Sequence, residues 1–283
     1  MLNATPDSFY DGGQISDRMA ALERAKRAVR DGAAMLDIGG ESTRPGAHRV
    51  PAAEQIERVV PIIEAVRGCE DADVAGIPIS VDTTLAEVAH AALQSGADAV
   101  NDVSGATEDA DLLGVVAEFG AGLVLMHRAA PPPADKYADE YQGEPVFAGG
   151  VVAAVRSHLA QRAEAAQAAG VNTEGLVIDP GLGFGKSVRQ NVQLLASVLE
   201  LASLGMPVYI GASRKRFIGR VSITGESEPG DRLAGSIAAT ILAAQQGAPL
   251  HRVHDVAEHV QALATLQAWQ EARGGTRNAE SGS

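Results

Sequence analysis

The chain has 283 residues, a formal charge of −13 and a single cysteine, Cys69. One cysteine excludes an internal disulfide framework and suits the cytoplasm, while the acidic balance argues against a nucleic-acid partner, which would need a basic stripe to displace counterions. Nothing resembles a signal peptide or a run of about 20 apolar residues, so neither export nor a membrane is expected.

The chain opens Met1-Leu2-Asn3, which reads as the last residues of a first strand truncated at its N-terminal end. Pro6 and Gly12-Gly13 then bracket a loop rich in polar and aromatic residues. Its hard-oxygen donors Asn3 and Asp11 suit Mg²⁺, which typically takes one or two protein oxygens plus phosphate oxygens; a plain polar turn is the alternative. Met19, Leu22, Ala25 and Val29 recur at helical spacing, with Ser16 available as N-cap. From Gly32 onward a rhythm repeats seven times: a glycine, a short apolar run, then polar residues. The runs end near Asp37, Asp82, Asn101, His127, Asp179, Ser213 and His254.

A glycine closing a helix, followed by an apolar strand, is the pattern of βα units around a parallel sheet. The intervening segments 53–67, 85–94, 109–119, 151–169, 190–204, 233–246 and 257–272 fit helices. No break in the alternation marks a second domain, and about 250 residues is the usual size of a (β/α)₈ barrel. The expected organisation is therefore α/β, one (β/α)₈ TIM-barrel domain over 1–273, with 274–283 as a disordered polar tail. A doubly wound open sheet is the rival, but it usually has fewer units at this length. With only seven complete strands, a sheet edge would be left uncovered.

Barrel enzymes keep their active sites at the C-terminal ends of the strands, so the polar residues that close these runs should collect at one mouth. Asp82, Asn101 and Asp179 there could read a heterocycle through in-plane hydrogen bonds; each alone could equally cap the next helix. Glu41-Ser-Thr-Arg-Pro-Gly46 offers hydroxyls and a guanidinium fork suited to an anion. The run Asp179-Pro-Gly-Leu-Gly-Phe-Gly-Lys-Ser187 fits neither a P-loop nor a dinucleotide fingerprint, so its glycines are expected to permit close approach of a ligand or of neighbouring backbone. Ser213 with Lys215, and Arg252 with His254, share a face if their strands stay extended, and loops seven and eight of barrels frequently hold phosphate. Arg214 and Arg216 would then point elsewhere. A Schiff-base role for Lys215 is conceivable, but its cationic surroundings favour anion binding.

Seven segments, Asn-x-Thr-Pro-Asp-Ser-Phe, Gly-Glu-Ser-Thr-Arg-Pro-Gly, Ser-Val-Asp-Thr, Asn-Asp-Val-Ser-Gly, Asp-Pro-Gly-x-Gly-Phe-Gly-Lys, Ser-Arg-Lys-x-Phe-Ile-Gly and Arg-Val-His-Asp-Val, stand in the order found in the dihydropteroate synthases. The chain resembles that family from Met1 to about residue 272. The resemblance implies a (β/α)₈ barrel, usually a homodimer, that joins 6-hydroxymethyl-7,8-dihydropterin diphosphate to 4-aminobenzoate and releases pyrophosphate, and at whose site sulfonamides compete. Carried over by position, Asp82, Asn101, Asp179 and Lys215, with Met126 beside them, resemble the pterin pocket. Arg252 and His254 resemble the diphosphate pocket, with Asn3 and Asp11 on Mg²⁺. Phe9, Thr43, Arg44, Pro45, Phe184 and Ser213 resemble the aminobenzoate side, built partly from mobile loops. Asp82, Asp179, Lys215, Arg252 and His254 are the expected catalytic set. After the fifth strand the family usually shows Met-His-x-x-Gly-x-Pro; the sequence here is Met126-His-Arg-Ala-Ala-Pro-Pro-Pro133, so this loop should differ in shape.

The rivals are a corrinoid-linked methyltetrahydrofolate methyltransferase, which has no use for a diphosphate pocket, and a catalytically silent pterin-binding paralogue, which would be expected to lose loop residues first. A phosphate-binding barrel working through a Lys215 Schiff base is more distant.

Overall fold

Eight short strands form in a computed structural model, which describes residues 2–3, 14–223, 225 and 227–280; side chains are described within 18–273. In chain order they are β1 (Leu2–Asn3), β2 (Leu36–Gly39), β3 (Ile79–Asp82), β4 (Ala99–Asp102), β5 (Gly122–Met126), β6 (Leu176–Asp179), β7 (Tyr209–Ile210) and β8 (Leu250–His251). The helices between them are α1 (Gln14–Arg30), α2 (Ala52–Arg67), α3 (Ala72–Ala75), α4 (Ala86–Gln94), α5 (Leu112–Phe119), α6 (Val151–Ala168), α7 (Val188–Ala196), α8 (Val198–Ala202), α9 (Arg216–Arg220), α10 (Leu233–Gln245) and α11 (Val256–Glu280). The central strands are apolar almost throughout because both of their faces are covered, as parallel strands require. Leu36, Ile38, Ile79, Val81, Val100, Leu123, Leu125, Leu176 and Ile178 are all buried, and the helices close over them with Val59, Ile63, Val88, Val116, Leu159 and Leu194.

Strands β1 to β6 pair in sequence order, all parallel, and β7 pairs with β8 in the same sense. A single bridge, Ile178 to Val208, joins β6 to the second pair. The register decides the site. Asn3 lies opposite Gly39, Gly39 opposite Asp82, and Asp82 opposite Asn101, while Met126 lies opposite Asp179. Residues far apart in sequence therefore end their strands at neighbouring positions on one rim. No ladder joins β8 to β1 among the described residues; what spans that gap is a side chain, Arg252, taken up below.

Several boundaries differ from those expected. Helix α1 begins at Gln14, so Ser16 lies inside it and does not cap it. The helix expected over 190–204 divides at Ser197 into α7 and α8, and α7 is capped by a reciprocal pair, the Ser187 side chain with Gln190. Strands β7 and β8 stop at Ile210 and His251, short of the residues that were expected to end them. The last helix runs on to Glu280, into the segment that composition assigns to a polar tail.

Candidate active site

The mouth is organised around one partly buried cation. Arg252 Nε donates to Asp37 Oδ2 at 2.6 Å and Nη2 to Asp82 Oδ2 at 2.8 Å, so one guanidinium from the end of β8 ties together β2 and β3. Ser80 holds the other oxygen of Asp37 at 2.7 Å, and Asn101 Nδ2 approaches Asp37 Oδ2 at 3.5 Å. Burial works against the charge on Arg252, yet Asp37 and Asp82 hold its pKa above the usual arginine value. Burial also pushes the Asp82 carboxyl up to about 7, with Arg252 opposing and Asp37 adding to the rise. One oxygen, Asp82 Oδ1, is buried without a hydrogen-bond partner among the described residues. An orphaned acceptor of that kind costs free energy unless a ligand satisfies it.

An apolar plate lies beside this polar rim. Val103, Met126 and Phe184 form a small buried cluster of their own, separate from the main core. Lys215 rests on it, its ammonium 4.0 Å from the centre of the Phe184 ring. Burial, then the facing Arg252, push Lys215 down to about 8, while Asp179 and Asp82 favour its charged form. Asp179 is raised by burial to about 6 and accepts the Gly181 N–H at 2.7 Å.

The glycine-rich loop after β6 is wrapped around a second buried ammonium. Lys186, fully buried, donates to the carbonyls of His127, Gly181 and Phe184 at 3.1, 2.9 and 2.9 Å. Close backbone approach is the reason for the glycines, as expected: Gly181 has φ +68°, and a Cβ there would overlap the His127 carbonyl. Gly181→Ala should therefore destabilise the protein by more than the roughly 1–3 kcal/mol of an unfavourable φ alone. Urea denaturation checks this, and an unchanged midpoint would mean the loop is not built against His127.

A cleft of about 780 Å³ opens over the rim, lined by Thr43, Arg44, Pro45, Asp82, Phe184, Ser213, Lys215, Arg252 and His254 together with the loop residues Tyr137 to Asp139. Ser213 Oγ meets His254 Nδ1 at 3.0 Å, which joins the loops after β7 and β8. These side chains converge through a turn and not through extended strand. Arg214 adopts φ +59°, and the Lys215 N–H returns to the Ala212 carbonyl at 3.2 Å. Arg214 pairs with Asp255, and Arg216 stacks over Tyr137 at 3.9 Å and pairs with Asp139. Both arginines are thus engaged in holding loops.

Asn101, Met126 and Asp179 are buried at or next to the ends of β4, β5 and β6 and are not among the residues that line the cleft. Phe9 and Asp11 lie outside the described residues, and Asn3 is described only as strand backbone. The loop after β2 was expected to be mobile; Glu41 closes it by accepting the Val50 N–H at 2.7 Å, and its Gly46 N–H docks on the Pro132 carbonyl at 2.8 Å. Three contributors were not singled out from sequence. Asp37 ends an apolar run like the others, a signal that was available, whereas the long-range roles of Glu41 and Lys186 had none.

Strand ends of a parallel α/β fold that present buried carboxylates, an amide and two cations beside an apolar plate have the makings of an enzyme site for a small polar ligand. The family model described as "Pterin binding enzyme" matches residues 1–254. A dihydropteroate synthase of Synechocystis sp. is 43% identical over 256 residues, covering 90% of this chain and 84% of that one. The structure of Xanthomonas albilineans dihydropteroate synthase with 4-aminobenzoic acid is similar at a TM-score of 0.82 and 46% identity, covering 95% and 91%. That of Yersinia pestis dihydropteroate synthase with a sulfonamide drug is similar at 0.83 and 37%, covering 96% and 92%. The chain belongs to the dihydropteroate synthase family of pterin-binding enzymes, and its fold is the (β/α)₈ barrel of that family.

Proposed function

We infer that this chain is a dihydropteroate synthase, a transferase of folate biosynthesis that condenses 6-hydroxymethyl-7,8-dihydropterin diphosphate with 4-aminobenzoate to 7,8-dihydropteroate and pyrophosphate. The observation that carries the assignment of residues is the buried, unpartnered Asp82 Oδ1 at the rim, an acceptor awaiting a ring N–H or amino group. Asp82, Asn101 and Asp179 take the polar edge of the pterin, and Met126 and Phe184 take its face. Lys215, Arg252 and His254 stand where the diphosphate would lie, and they stabilise the charge it gathers as the C–O bond at the methylene breaks. The ring delocalises positive charge on that methylene, so the displacement is S_N1-like. The aryl amine, a weak base, then needs positioning more than activation, which the Thr43-Arg44-Pro45 wall, Ser213 and Phe184 supply.

Magnesium belongs to the same proposal. Strand β1 brings Asn3 to the rim beside Gly39, and an amide oxygen with the Asp11 carboxylate is a hard-donor pair of the kind Mg²⁺ takes together with phosphate oxygens. No group of three or more His, Cys, Asp or Glu among the described residues could hold a metal by itself. Bound there, it would neutralise charge on the diphosphate. The barrel over 1–273 as one domain, a cytoplasmic location and a homodimer are likewise proposals. No helix among the described residues is long and apolar enough to cross a membrane. Leu242 and Trp269, exposed on α10 and α11, are apolar surface that a dimer would cover.

The function is tested by pyrophosphate release from the pterin diphosphate with and without 4-aminobenzoate. Release only with both is expected; a methyltransferase or a silent paralogue would release none. A second outcome follows from the depressed pKa of Lys215. Its charge is present below about 8 and lost above, so kcat/KM for the pterin diphosphate should fall as pH rises through about 8, and Lys215→Met should remove that limb. Borohydride with a carbonyl compound should leave Lys215 unlabelled. A reduced adduct there, found by mass spectrometry, would make it a Schiff-base lysine.

A further inference from the structure

Three loops at the mouth are joined by one chain of charges, and the Thr84 hydroxyl ties in a fourth. Arg128, on the segment after β5, has a side chain only 6% exposed, and its guanidinium pairs with Glu108 on the loop after β4. Glu108 also pairs with Arg49 and accepts the Thr84 hydroxyl at 2.7 Å. Arg49 reaches Thr84 Oγ1 at 3.1 Å and Glu41 Oε1 at 3.2 Å. Glu41 closes the loop after β2, accepting from Val50 N at 2.7 Å and from Gln55 Nε2 at 3.2 Å. The tip of that loop is Thr43-Arg44-Pro45.

The two ends of this arrangement belong to the same segment. Gly46, at the loop tip, docks on the carbonyl of Pro132, four residues beyond Arg128. The backbone just before Arg128 is anchored in turn, because the His127 N–H donates to the Asp179 carbonyl at 3.1 Å. The segment after β5 therefore grips the β2 loop at its base through charge and at its tip through backbone. Exposed ion pairs contribute little, but the Arg128 side chain is only 6% exposed, and removing it leaves Glu108 held by the Thr84 hydroxyl and the half-exposed Arg49. Glu108 would then be less firmly placed, and through Arg49 so would Glu41.

We propose that Arg128 is a positioning residue for the second substrate, holding the Thr43–Pro45 wall in place through Glu108, Arg49 and Glu41. This rests on reading that wall as the 4-aminobenzoate side. A displacement of about 1 Å in a positioning group costs up to about a hundred-fold, and a relaxed loop should fall below that limit. Steady-state kinetics with each substrate varied in turn provide the test. Arg128→Ala and Glu108→Gln should each raise KM for 4-aminobenzoate about ten-fold, with kcat and KM for the pterin diphosphate within about two-fold. The double variant should be no worse than either single one, because both break the same chain. Arg128→Lys should recover part of the loss, a point charge replacing a fork. If Arg128→Ala proves insoluble, Glu108→Gln and Arg128→Lys carry the same comparison.

An unchanged KM, additive single effects, or an equal loss in every kinetic parameter would overturn the proposal. Arg44→Ala separates the two levels. If it leaves KM for 4-aminobenzoate unchanged, the wall itself is misassigned; if it raises KM while Arg128→Ala does not, only the positioning role is lost.

Discussion

Asp179→Ala should lower the affinity for the pterin diphosphate by roughly 30- to 4,000-fold, the equivalent of about 2–5 kcal/mol for losing one partner of a buried charged hydrogen bond. Asp179 is buried at the end of β6, and burial raises its carboxyl to about 6. It is therefore mostly ionised at neutral pH and ready to accept from the ring edge. It also accepts the Gly181 N–H at 2.7 Å, so part of any loss could come through the glycine-rich loop. Asp179→Asn separates the two contributions: its side-chain oxygen can still take the Gly181 N–H while the charge is gone. Calorimetric titration with the pterin diphosphate should rank wild type, then Asn, then Ala. Near-wild-type affinity in the alanine variant would mean that the ring sits elsewhere.

Arg252→Ala should be the most damaging single change, in stability as well as activity. Arg252 bonds both Asp37 and Asp82, with its side chain 19% exposed and theirs at 7% and 4%. Removing one partner of a buried ion pair typically costs about 3–5 kcal/mol, because the remaining charge is left uncompensated. The sign of the pH dependence follows from Asp82. Its folded-state pKa is already raised from 3.8 to about 7, with Arg252 opposing the rise. A carboxyl raised on folding lowers stability as pH climbs from the unfolded pKa to the folded one. Without the guanidinium that folded value moves higher still, so the part of the deficit that comes from Asp82 should be small below about pH 7 and grow as pH rises beyond it. Urea denaturation across that range checks it, and a deficit independent of pH would show that Arg252 does not neutralise these carboxylates. Arg252→Lys should rescue only in part, since an ammonium cannot replace a planar fork that serves two acceptors.

Much of the site was legible in the primary structure because its residues end apolar runs. Asp82 and Asp179 each close a buried strand, Asn101 stands one residue before the end of another, and the parallel rhythm alone predicts that such ends share a mouth. The glycines at 181, 183 and 185 announced close approach of a ligand or of neighbouring backbone, and the Gly181–His127 contact is of the second kind. The parity argument for Ser213 and Lys215 named two residues that line the cleft, but through an incorrect geometry. Strand β7 ends at Ile210, and a turn with Arg214 at positive φ delivers both side chains to the cleft. Turn conformation depends on what the loop packs against, here the Ser236 hydroxyl that holds the Arg214 N–H at 3.0 Å and the Arg232 guanidinium that holds its carbonyl at 3.0 Å.

Periodicity and strand-end chemistry, local properties of the chain, by themselves determined the barrel, the facing of its mouth and the residues that collect there. Only the tertiary structure decided which charges meet. The Arg252 pairs with Asp37 and Asp82 span 215 and 170 positions, and the Arg128–Glu108–Arg49–Glu41 chain crosses three loops. No spacing encodes such partners, because an ion pair is specified by distance and burial in space, and those follow from strand register and loop packing once the barrel has formed.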